Sequence, residues 1–298
     1  MIVTRFAPAP TGYLHIGHIV NAVYIWGIAR AAGGRVLIRI EDHDRQRSRV
    51  EYERALFEDL EWLGFRGDAP PIRQSERAPA YAAALASLEA ADRVYACECS
   101  RRDIESIAPA AGELRYPGTC SEKRLPHSSG MGLRLRVSAD TERFDDVIHG
   151  AQEQRPADQC GDVLLRDRDG NWTYQFAVTV DDWVQGITLV VRGDDLLAST
   201  GRQLQLARFL GRSVPPIFLH HRLVMKSPSQ KLSKSDGDTG IRELRDRGWT
   251  AADVLGRAVS LAGLTTGPTQ PVTVKDLPDL PEIRRLMSCV TAREVTGT

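Results

Sequence analysis

Two histidines three residues apart, His15 and His18, form the first group in the sequence that could do chemistry. A strand-like apolar run, residues 2–6, precedes them, and the apolar repeats of a helix follow over residues 19–31. We therefore place both imidazoles on one face of a helix N-terminus. Such an end has unpaired backbone N–H groups and a partial positive charge, which suit a polyphosphate. Gly17 between them permits close approach of a nucleotide. Taken alone, however, the pair is more typical of two surface histidines.

Two further polar clusters follow the histidines in the sequence. Lys231 and Lys234 stand more than two hundred residues downstream in a loop-like polar segment, KLSKS, which alone is typical of a solvated loop. Glu41, Asp42 and Asp44 follow an apolar strand, where α/β sheets bind ligands. The alternative for these carboxylates is simple pairing with neighbouring arginines on the surface.

Three cysteines, Cys97, Cys99 and Cys120, are close enough in sequence to suggest a Zn²⁺ site in a polar stretch without a core of its own. No fourth cysteine or histidine has the expected spacing. His127 lies seven residues past Cys120 and is a candidate ligand. The alternative is a set of reduced free thiols. Two other cysteines, at positions 160 and 289, are isolated and predicted to be ordinary core or surface thiols.

Together, the HIGH tetrapeptide of residues 15–18 and the KLSKS segment resemble the two signatures of the class I aminoacyl-tRNA synthetases. RFAPAPTGYLHIGH (residues 5–18) and RIEDHDRQR (residues 39–47) resemble the glutamyl branch, and the resemblance extends from about residue 2 to about residue 240. It implies an α/β fold with a doubly wound, Rossmann-type parallel sheet split by an insertion. It also implies that L-glutamate and ATP with Mg²⁺ form a glutamyl-adenylate, whose glutamyl group then passes to tRNA.

The resemblance also assigns roles to individual residues. The phosphates of ATP are expected at His15, Gly17 and His18, with Lys231 and Lys234 as mobile cations. Lys234 is the stronger candidate for contact with the transition state. The glutamate site is expected to use Arg5 and Arg192 for carboxylate, Glu41 for the ammonium group and Tyr174 for a further polar contact. Backbone contacts are expected from the neighbouring residues Phe6, Ala7, Pro8 and Ala9.

A short branch of the family, the glutamyl-Q synthetases, has a zinc knob with the pattern Cys-x-Cys followed by Tyr-x3-Cys. Cys97, Cys99, Tyr116 and Cys120 match it, which implies one Zn²⁺ per chain. That branch transfers glutamate to the queuosine base in the anticodon loop of tRNA(Asp). Only 63 residues follow Ser235, from which we expect no large helical anticodon-binding domain. The alternatives are a short glutamyl-tRNA synthetase acting at the tRNA 3′ end, an inactive paralogue, and, more remotely, another nucleotidyltransferase.

The alternation of elements predicts four segments. Residues 1–95 and 161–240 are expected to form the two halves of the catalytic domain, residues 96–160 the insertion with the zinc knob, and residues 241–298 a short helical C-terminal segment. Within them we predict a helix over residues 76–91 with Ser75 as its N-cap, an irregular stretch over 142–155, and a strand over 174–180.

Bulk composition narrows the class of protein. Of the 298 residues 42% are hydrophobic and 26% charged, which is ordinary for a globular protein with a full core. The sequence has no apolar run of eighteen residues and no leader-like start, so we expect a cytoplasmic protein without a membrane span. Its formal net charge of +0 means that a tRNA partner would need local basic patches. Five cysteines in a reducing compartment predict no disulfide framework.

Overall fold

The computed structural model describes residues 1–43, 47–107, 113–227, 230–231 and 240–296. Within these ranges the chain is an α/β protein. The helices are α1 (Ile16–Ala31), α2 (Val50–Leu63), α3 (Ala78–Ala90), α4 (Arg101–Ile107), α5 (Pro156–Gln159), α6 (Tyr174–Val184), α7 (Thr200–Phe209), α8 (Ile241–Asp246), α9 (Ala251–Leu261) and α10 (Pro281–Thr296). The strands are β1 (Val3–Phe6), β2 (Arg35–Ile40), β3 (Ile72–Arg73), β4 (Val94–Cys97), β5 (Gly132–Leu135), β6 (Glu142–Asp146), β7 (Gly150–Gln154), β8 (Val163–Arg166), β9 (Leu189–Gly193), β10 (Ile217–His221), β11 (Met225–Ser227) and β12 (Gln230–Lys231).

Parallel strands form the part of the fold that carries the predicted site. β1, β2 and β3 make one parallel sheet, and β9 and β10 pair in parallel within a second sheet of order β7-β6-β10-β9. The two sheets are neighbours, because the Thr188 N–H donates to the Val3 carbonyl at 2.9 Å. We expected one doubly wound parallel sheet; the described strands form four sheets, and the parallel pairs are divided between two of them. Even so, β1, β2 and β9 run side by side, and polar residues at their carboxyl ends share one cavity.

The helix that follows β1 is buried on nearly every side. Eleven of the sixteen residues of α1 are buried, and α1 packs against α9 and α10 as well as the sheet. Trp26 anchors this core, with its ring edge-on to Phe6 at 5.5 Å between centroids and 4.6 Å from Phe65. The C-terminal helices therefore share one core with the N-terminal β-α-β unit and hold α1 in place from behind.

A second core surrounds an antiparallel sheet of order β4-β5-β8. Its two outer strands lie at the limits of the 96–160 range, since β4 begins at Val94 and β8 lies at Val163–Arg166, and the middle strand β5 lies inside it. The core is closed by α3 and α6, through Tyr81 and Phe176. This antiparallel sheet supports the three-cysteine stretch. No helix in the described ranges is long and apolar enough to cross a membrane.

The structure corrects two expectations about secondary structure. Residues 174–180 begin helix α6 instead of forming a strand. Their aromatic and β-branched side chains favour strand locally, but Phe176, Ala177 and Val180 share the buried face of a helix. Residues 142–155, expected to be irregular, contain the hairpin of β6 and β7. Polar side chains occupy most of this hairpin, so it lacks the apolar alternation that marks a strand.

The third correction concerns the start of α3. Ser75 is not its N-cap; it lies in a 3₁₀ turn, Gln74–Glu76, and α3 begins at Ala78. The backbone N–H and hydroxyl of Ser75 instead donate to Asp42, at 2.8 and 2.6 Å. Asp42 thus ties the end of β2 to the segment before α3, and its carboxylate has a structural partner.

Candidate active site

A cavity of about 330 Å³ lies where the HIGH loop, the end of β2, the start of α6 and the end of β9 meet. Residues from four distant parts of the sequence contribute to it. The residues with sequence-predicted roles that line it are Arg5, Ala7, His15, Gly17, His18, Glu41, Tyr174 and Arg192. Asn21, Asp195, His221, Leu223 and further residues of β9 and the segment after β10 complete the lining.

The two HIGH histidines cap the helix that they begin. His15 is the N-cap of α1, and its Nδ1 accepts a hydrogen bond from the Gly17 N–H at 3.1 Å. The backbone N–H of His15 donates to His18 Nδ1 at 3.0 Å, and the ring centroids are 3.8 Å apart. Because both Nδ1 atoms are acceptors, each neutral ring carries its proton on Nε2. The capping bonds thus fix which nitrogen of each ring can donate to an anion.

Gly17 has a second reason to be glycine. A Cβ at this position would lie 3.0 Å from both Cε1 and Nδ1 of His15, which is tighter than ordinary contact. Any side chain here would push the His15 ring away from its capping position. Gly17 therefore makes room for the N-cap histidine, in addition to the close approach of a nucleotide that its residue type predicts.

A buried ion cluster lies at one wall of the cavity. Asp182 Oδ1 accepts from Arg5 Nε at 2.9 Å and from Arg39 Nη1 at 2.7 Å, and Arg39 Nη2 also reaches Glu41 Oε1 at 3.2 Å. Burial alone would raise the pKa of Asp182, but the two guanidinium groups outweigh it and lower that pKa to about 2. The pKa of Glu41 moves the other way and is raised, because its burial outweighs the arginines. Asp182 is therefore charged at ordinary pH. A cationic ligand beside Glu41 would stabilise the charged form of that carboxyl group.

Arg192 is buried on the cavity wall and is held without a carboxylate. Its Nε donates to His220 Nε2 at 2.9 Å, Nη1 to Gln203 Oε1 at 2.7 Å and Nη2 to Thr200 Oγ1 at 2.9 Å. Its side chain is 4% exposed, and burial lowers its pKa. Within the described residues no carboxylate forms an ion pair with it. A buried guanidinium with only neutral partners is a strong site for an anionic ligand.

Tyr174 and the loop after β1 complete this region. Tyr174 is half-buried in the first turn of α6, and its surroundings raise its pKa to about 12, so its hydroxyl is neutral at ordinary pH. The Pro8 carbonyl accepts the Glu41 N–H at 3.0 Å, which joins the loop to the end of β2. In the described part of the chain Ala7 lines the cavity, whereas Phe6, Pro8 and Ala9 do not. The Phe6 ring packs in the core, so only its backbone is near the site.

The described chain on either side of the KLSKS motif can be followed, and one side reaches the HIGH loop. Lys231 is the last residue of β12, which pairs with β11. Lys234 lies outside the described residues. The described chain resumes at Gly240, which forms an antiparallel bridge with His15, and the Ile241 N–H donates to the Leu14 carbonyl at 3.0 Å. Gly240 and Ile241 are therefore hydrogen-bonded to the HIGH loop.

The three cysteines of the predicted metal site come together. The sulfur atoms of Cys97, Cys99 and Cys120 all lie within 4.8 Å of one another, with Cys99 and Cys120 at 3.5 Å. Three sulfurs bound to one tetrahedral Zn²⁺ would be about 3.8 Å apart, so the set fits this ion. His127, the other candidate, pairs with Glu89 at 3.0 Å. Cys160 donates to backbone carbonyls and lies apart from the cluster.

The hydroxyl of Tyr116 reaches the same cluster. It accepts the Cys120 N–H at 2.9 Å and lies 3.3 Å from the Cys97 sulfur, in a buried position. Arg134 stacks over the Tyr116 ring at 3.7 Å and donates to Cys97 at 3.3 Å. Burial would raise the pKa of Cys97, but the hydrogen bonds from Tyr116 and Arg134 lower it. An arginine beside the cluster would offset the negative charge of several thiolates on one metal ion.

Sequence reasoning missed three polar residues around the cavity. Asp182 follows the predicted strand of residues 174–180, and this position is the signal that could have found it. His220 lies inside an apolar run, residues 217–225, where nothing in the sequence distinguishes it. Asp146 lies in β6, inside the stretch expected to be irregular, and no sequence signal marked it. All three are buried and connect to Arg5 or Arg192 through hydrogen bonds.

The comparisons with known proteins agree with this geometry. Residues 1–277 match the family model described as tRNA synthetases class I (E and Q), catalytic domain. The glutamyl-Q tRNA(Asp) synthetase of Rhodobacter capsulatus is 39% identical over 273 residues, which cover 85% of this chain and 98% of that protein. Glutamate–tRNA ligase 1 of Acidithiobacillus ferrooxidans is 40% identical over 264 residues, covering 87% of this chain but 56% of that protein.

Solved structures give the same answer at the level of the fold. The glutamate tRNA ligase from Elizabethkingia meningosepticum, solved in complex with its amino acid, superposes with a TM-score of 0.80 at 26% identity. The match covers 95% of this chain and 65% of that one. The chain therefore belongs to the class I tRNA synthetases of the glutamyl and glutaminyl family and is a synthetase-like ligase of that class.

Proposed function

We propose that this protein activates L-glutamate with ATP and transfers it to the queuosine base in the anticodon loop of tRNA(Asp). One observation carries the choice of amino acid: the cavity wall holds a buried guanidinium, Arg192, with no carboxylate partner among the described residues. Such a charge is costly unless a ligand pairs with it. A substrate with a side-chain carboxylate provides that pair, and glutamine does not.

The remaining walls suit the other end of glutamate. Glu41, whose pKa is raised by burial, gains a counterion when an ammonium group binds beside it. Arg5 also lines the cavity, with its Nε donating to Asp182, and contributes positive charge toward the α-carboxylate. The neutral hydroxyl of Tyr174 adds one polar contact. In this proposal Arg192 fixes the side chain of glutamate, and Glu41, Arg5 and Tyr174 orient its reacting end.

ATP is proposed to bind at the N-terminus of α1. The Nε2–H groups of His15 and His18 and the positive end of the helix dipole stabilise the charge on the phosphates. Lys231 and Lys234 supply cations, and Mg²⁺ accompanies the nucleotide. The α-carboxylate of glutamate attacks the α-phosphorus of ATP, and pyrophosphate leaves. The protein acts by positioning and by charge stabilisation, since this step needs no protein nucleophile.

We propose Zn²⁺ at the cluster of Cys97, Cys99 and Cys120, with Tyr116 as the fourth ligand. Its role is structural, because four protein ligands leave no open position on the metal. We propose that residues 1–95 and 161–240 form the catalytic domain. Residues 96–160 form the zinc-bearing insertion, and residues 241–298 form a helical C-terminal segment. We also propose that the enzyme acts in the cytoplasm, where it meets tRNA.

The site of transfer is proposed from the relatives. The chain covers 98% of a relative named glutamyl-Q tRNA(Asp) synthetase and 78% of a second with that name, from Ralstonia nicotianae, at 46% identity. By contrast, it covers 56% of the glutamate–tRNA ligase described above. The second candidate function, charging of the tRNA 3′ end, is favoured by its 40% identity with that ligase.

Two measurements test these two parts separately. Glutamate-dependent ATP–pyrophosphate exchange should occur without tRNA, and glutamine should not replace glutamate. Arg192→Ala should raise the KM for glutamate by a factor equivalent to about 2–5 kcal/mol, because the substrate carboxylate loses its buried partner. Equal exchange with glutamine would reject the substrate assignment.

Transfer is tested by charging total tRNA with labelled glutamate and mapping the label after nuclease digestion. Label on an anticodon-loop fragment is expected. Label on the fragment with the 3′-terminal adenosine would support the second candidate and overturn the first. Periodate treatment is not a suitable discriminator, because it oxidises both the terminal ribose diol and the diol of the queuosine ring.

A further inference from the structure

A buried chain of three side chains leads from the core to the cavity. Asp146 on β6 pairs with His220 on β10, with 2.7 Å between Asp146 Oδ2 and His220 Nδ1. His220 Nε2 in turn lies 2.9 Å from Arg192 Nε on β9. Asp146 and His220 are 0% exposed and Arg192 is 4% exposed. Only Arg192 reaches the cavity lining, so the other two residues can act on a ligand only through it.

The hydrogen-bond pattern fixes the state of His220. The Nε of an arginine can only donate, so His220 Nε2 must be the unprotonated acceptor. The proton of the neutral ring then lies on Nδ1 and is donated to Asp146. Asp146 is itself held by the N–H groups of Ile148 and His149, both at 2.9 Å from Oδ1. The carboxylate therefore selects the imidazole tautomer that can hold Arg192.

These contacts also determine which N–H groups of Arg192 remain available to a ligand. The bonds to His220, Gln203 and Thr200 use three of the five N–H groups of the guanidinium. One N–H remains on each terminal nitrogen. Because the group is held by three neutral partners, it is oriented before a carboxylate arrives, which reduces the ordering cost of binding.

We propose that His220, oriented by Asp146, is a positioning residue for glutamate: its Nε2 holds the Arg192 guanidinium in the orientation that receives the side-chain carboxylate. This inference rests on the proposed function, since it takes glutamate as the substrate. It adds to that function a residue, His220, that does not touch the substrate and sets its KM through Arg192, while Asp146 selects the His220 tautomer that makes this bond possible.

Two substitutions of His220 separate its bond to Asp146 from its bond to Arg192. His220→Gln keeps an oxygen acceptor near the Nε2 position and loses the donor to Asp146. His220→Asn keeps an amide donor near the Nδ1 position and loses the acceptor for Arg192. We expect His220→Asn to raise the KM for glutamate on the order of tenfold or more, the usual effect of losing a hydrogen bond to a charged group. His220→Gln should stay within about threefold of wild type, and the KM for ATP should change less than about twofold in both variants.

His127→Asn is the control, because this exposed histidine pairs with Glu89 and lies outside the cavity lining. A purely structural role of His220 would make both variants lose thermal stability and activity together, for glutamate and ATP alike. That outcome, or a glutamate KM for His220→Asn equal to that of wild type, would overturn the inference. Absence of glutamate-dependent exchange in the wild-type enzyme would instead reject the proposed function.

Nitrogen-15 NMR of the wild-type imidazole rings provides a test without any substitution. With His220 assigned through bonds, we expect a neutral ring protonated on Nδ1 at neutral pH. A ring protonated on Nε2, or an imidazolium, would overturn the inference, since neither can accept a hydrogen bond from Arg192.

Discussion

Replacing Asp182 by asparagine tests the ion cluster that orients Arg5. Asp182 is the shared acceptor of Arg5 and Arg39, at 2.9 and 2.7 Å. Lowering its pKa from the ordinary 3.8 to about 2 corresponds to about 2 kcal/mol of stabilisation of the folded state. Asp182→Asn removes that contribution and leaves the buried Arg5 guanidinium without its carboxylate partner among the described residues, while Arg39 keeps only Glu41 there. We therefore expect a loss of about 2–5 kcal/mol in the free energy of unfolding at neutral pH.

The same carboxylate predicts a pH dependence with a definite sign. Because its pKa is lower in the folded than in the unfolded state, its stabilisation is complete above about pH 4 and is lost as pH falls from about 4 to about 2. Urea unfolding of wild type and Asp182→Asn across this range measures it. The difference between the two proteins should shrink by about 2 kcal/mol on acidification. A difference that stays constant, or a variant as stable as wild type at neutral pH, would refute the reasoning.

Asp181 provides the matched control on the same helix. It is buried and accepts from Gln74, Arg77 and Tyr81, at 2.9, 2.9 and 2.7 Å, but none of these residues lines the cavity. Asp181→Asn should therefore destabilise the fold without changing the KM for glutamate. Asp182→Asn should raise that KM as well, because Arg5 is released from its fixed position.

Three further predictions concern the metal, the lysine loop and the helix cap. Elemental analysis should find about one Zn²⁺ per chain; Cys120→Ser should remove it, and zinc retained in Tyr116→Phe would reject only the tyrosine ligand. Lys234→Ala should slow adenylate formation by a factor of roughly a hundred with little effect on glutamate binding, and an unaltered pyrophosphate exchange rate would exclude a catalytic role for this lysine. Gly17→Ala should lower the exchange rate with ATP by displacing the His15 ring, as measured by exchange at saturating glutamate. Gly33→Ala, at a glycine with a φ of +62° outside the cavity lining, should lower stability and leave that rate unchanged.

The sequence predicts the cavity better than it predicts the path of the chain around it. His15, Glu41 and Arg192 were placed together from motifs and strand ends, and the structure brings them to one cavity. Motifs succeed here because they record which side chains must converge. The sequence predicts a strand at Tyr174, because local propensity does not include the packing of the buried face of α6 against α7. Its place in the cavity was nevertheless identified through the family pattern.

Buried polar partners were the least accessible to sequence reasoning. Asp146 lies in a hairpin with few apolar side chains, and its pairing with His220 joins residues 74 positions apart in the sequence. Ser75 has the residue type of an N-cap, yet its hydroxyl donates a hydrogen bond to the carboxylate of Asp42, 33 positions earlier in the sequence. Local patterns cannot reveal such bonds, because their partners are fixed only by the tertiary fold.

The bridge between His15 and Gly240 has a consequence for the reach of Lys234. Lys231 belongs to a paired strand, and Gly240 is hydrogen-bonded beside the first HIGH histidine, so both ends of the intervening eight residues are anchored. Covalent geometry then keeps the Lys234 Cα within about 11 Å of the Cα of Lys231 and about 22 Å of that of Gly240. These limits follow from chain connectivity alone, so each residue inserted between Lys231 and Gly240 would relax one of them by up to about 3.6 Å.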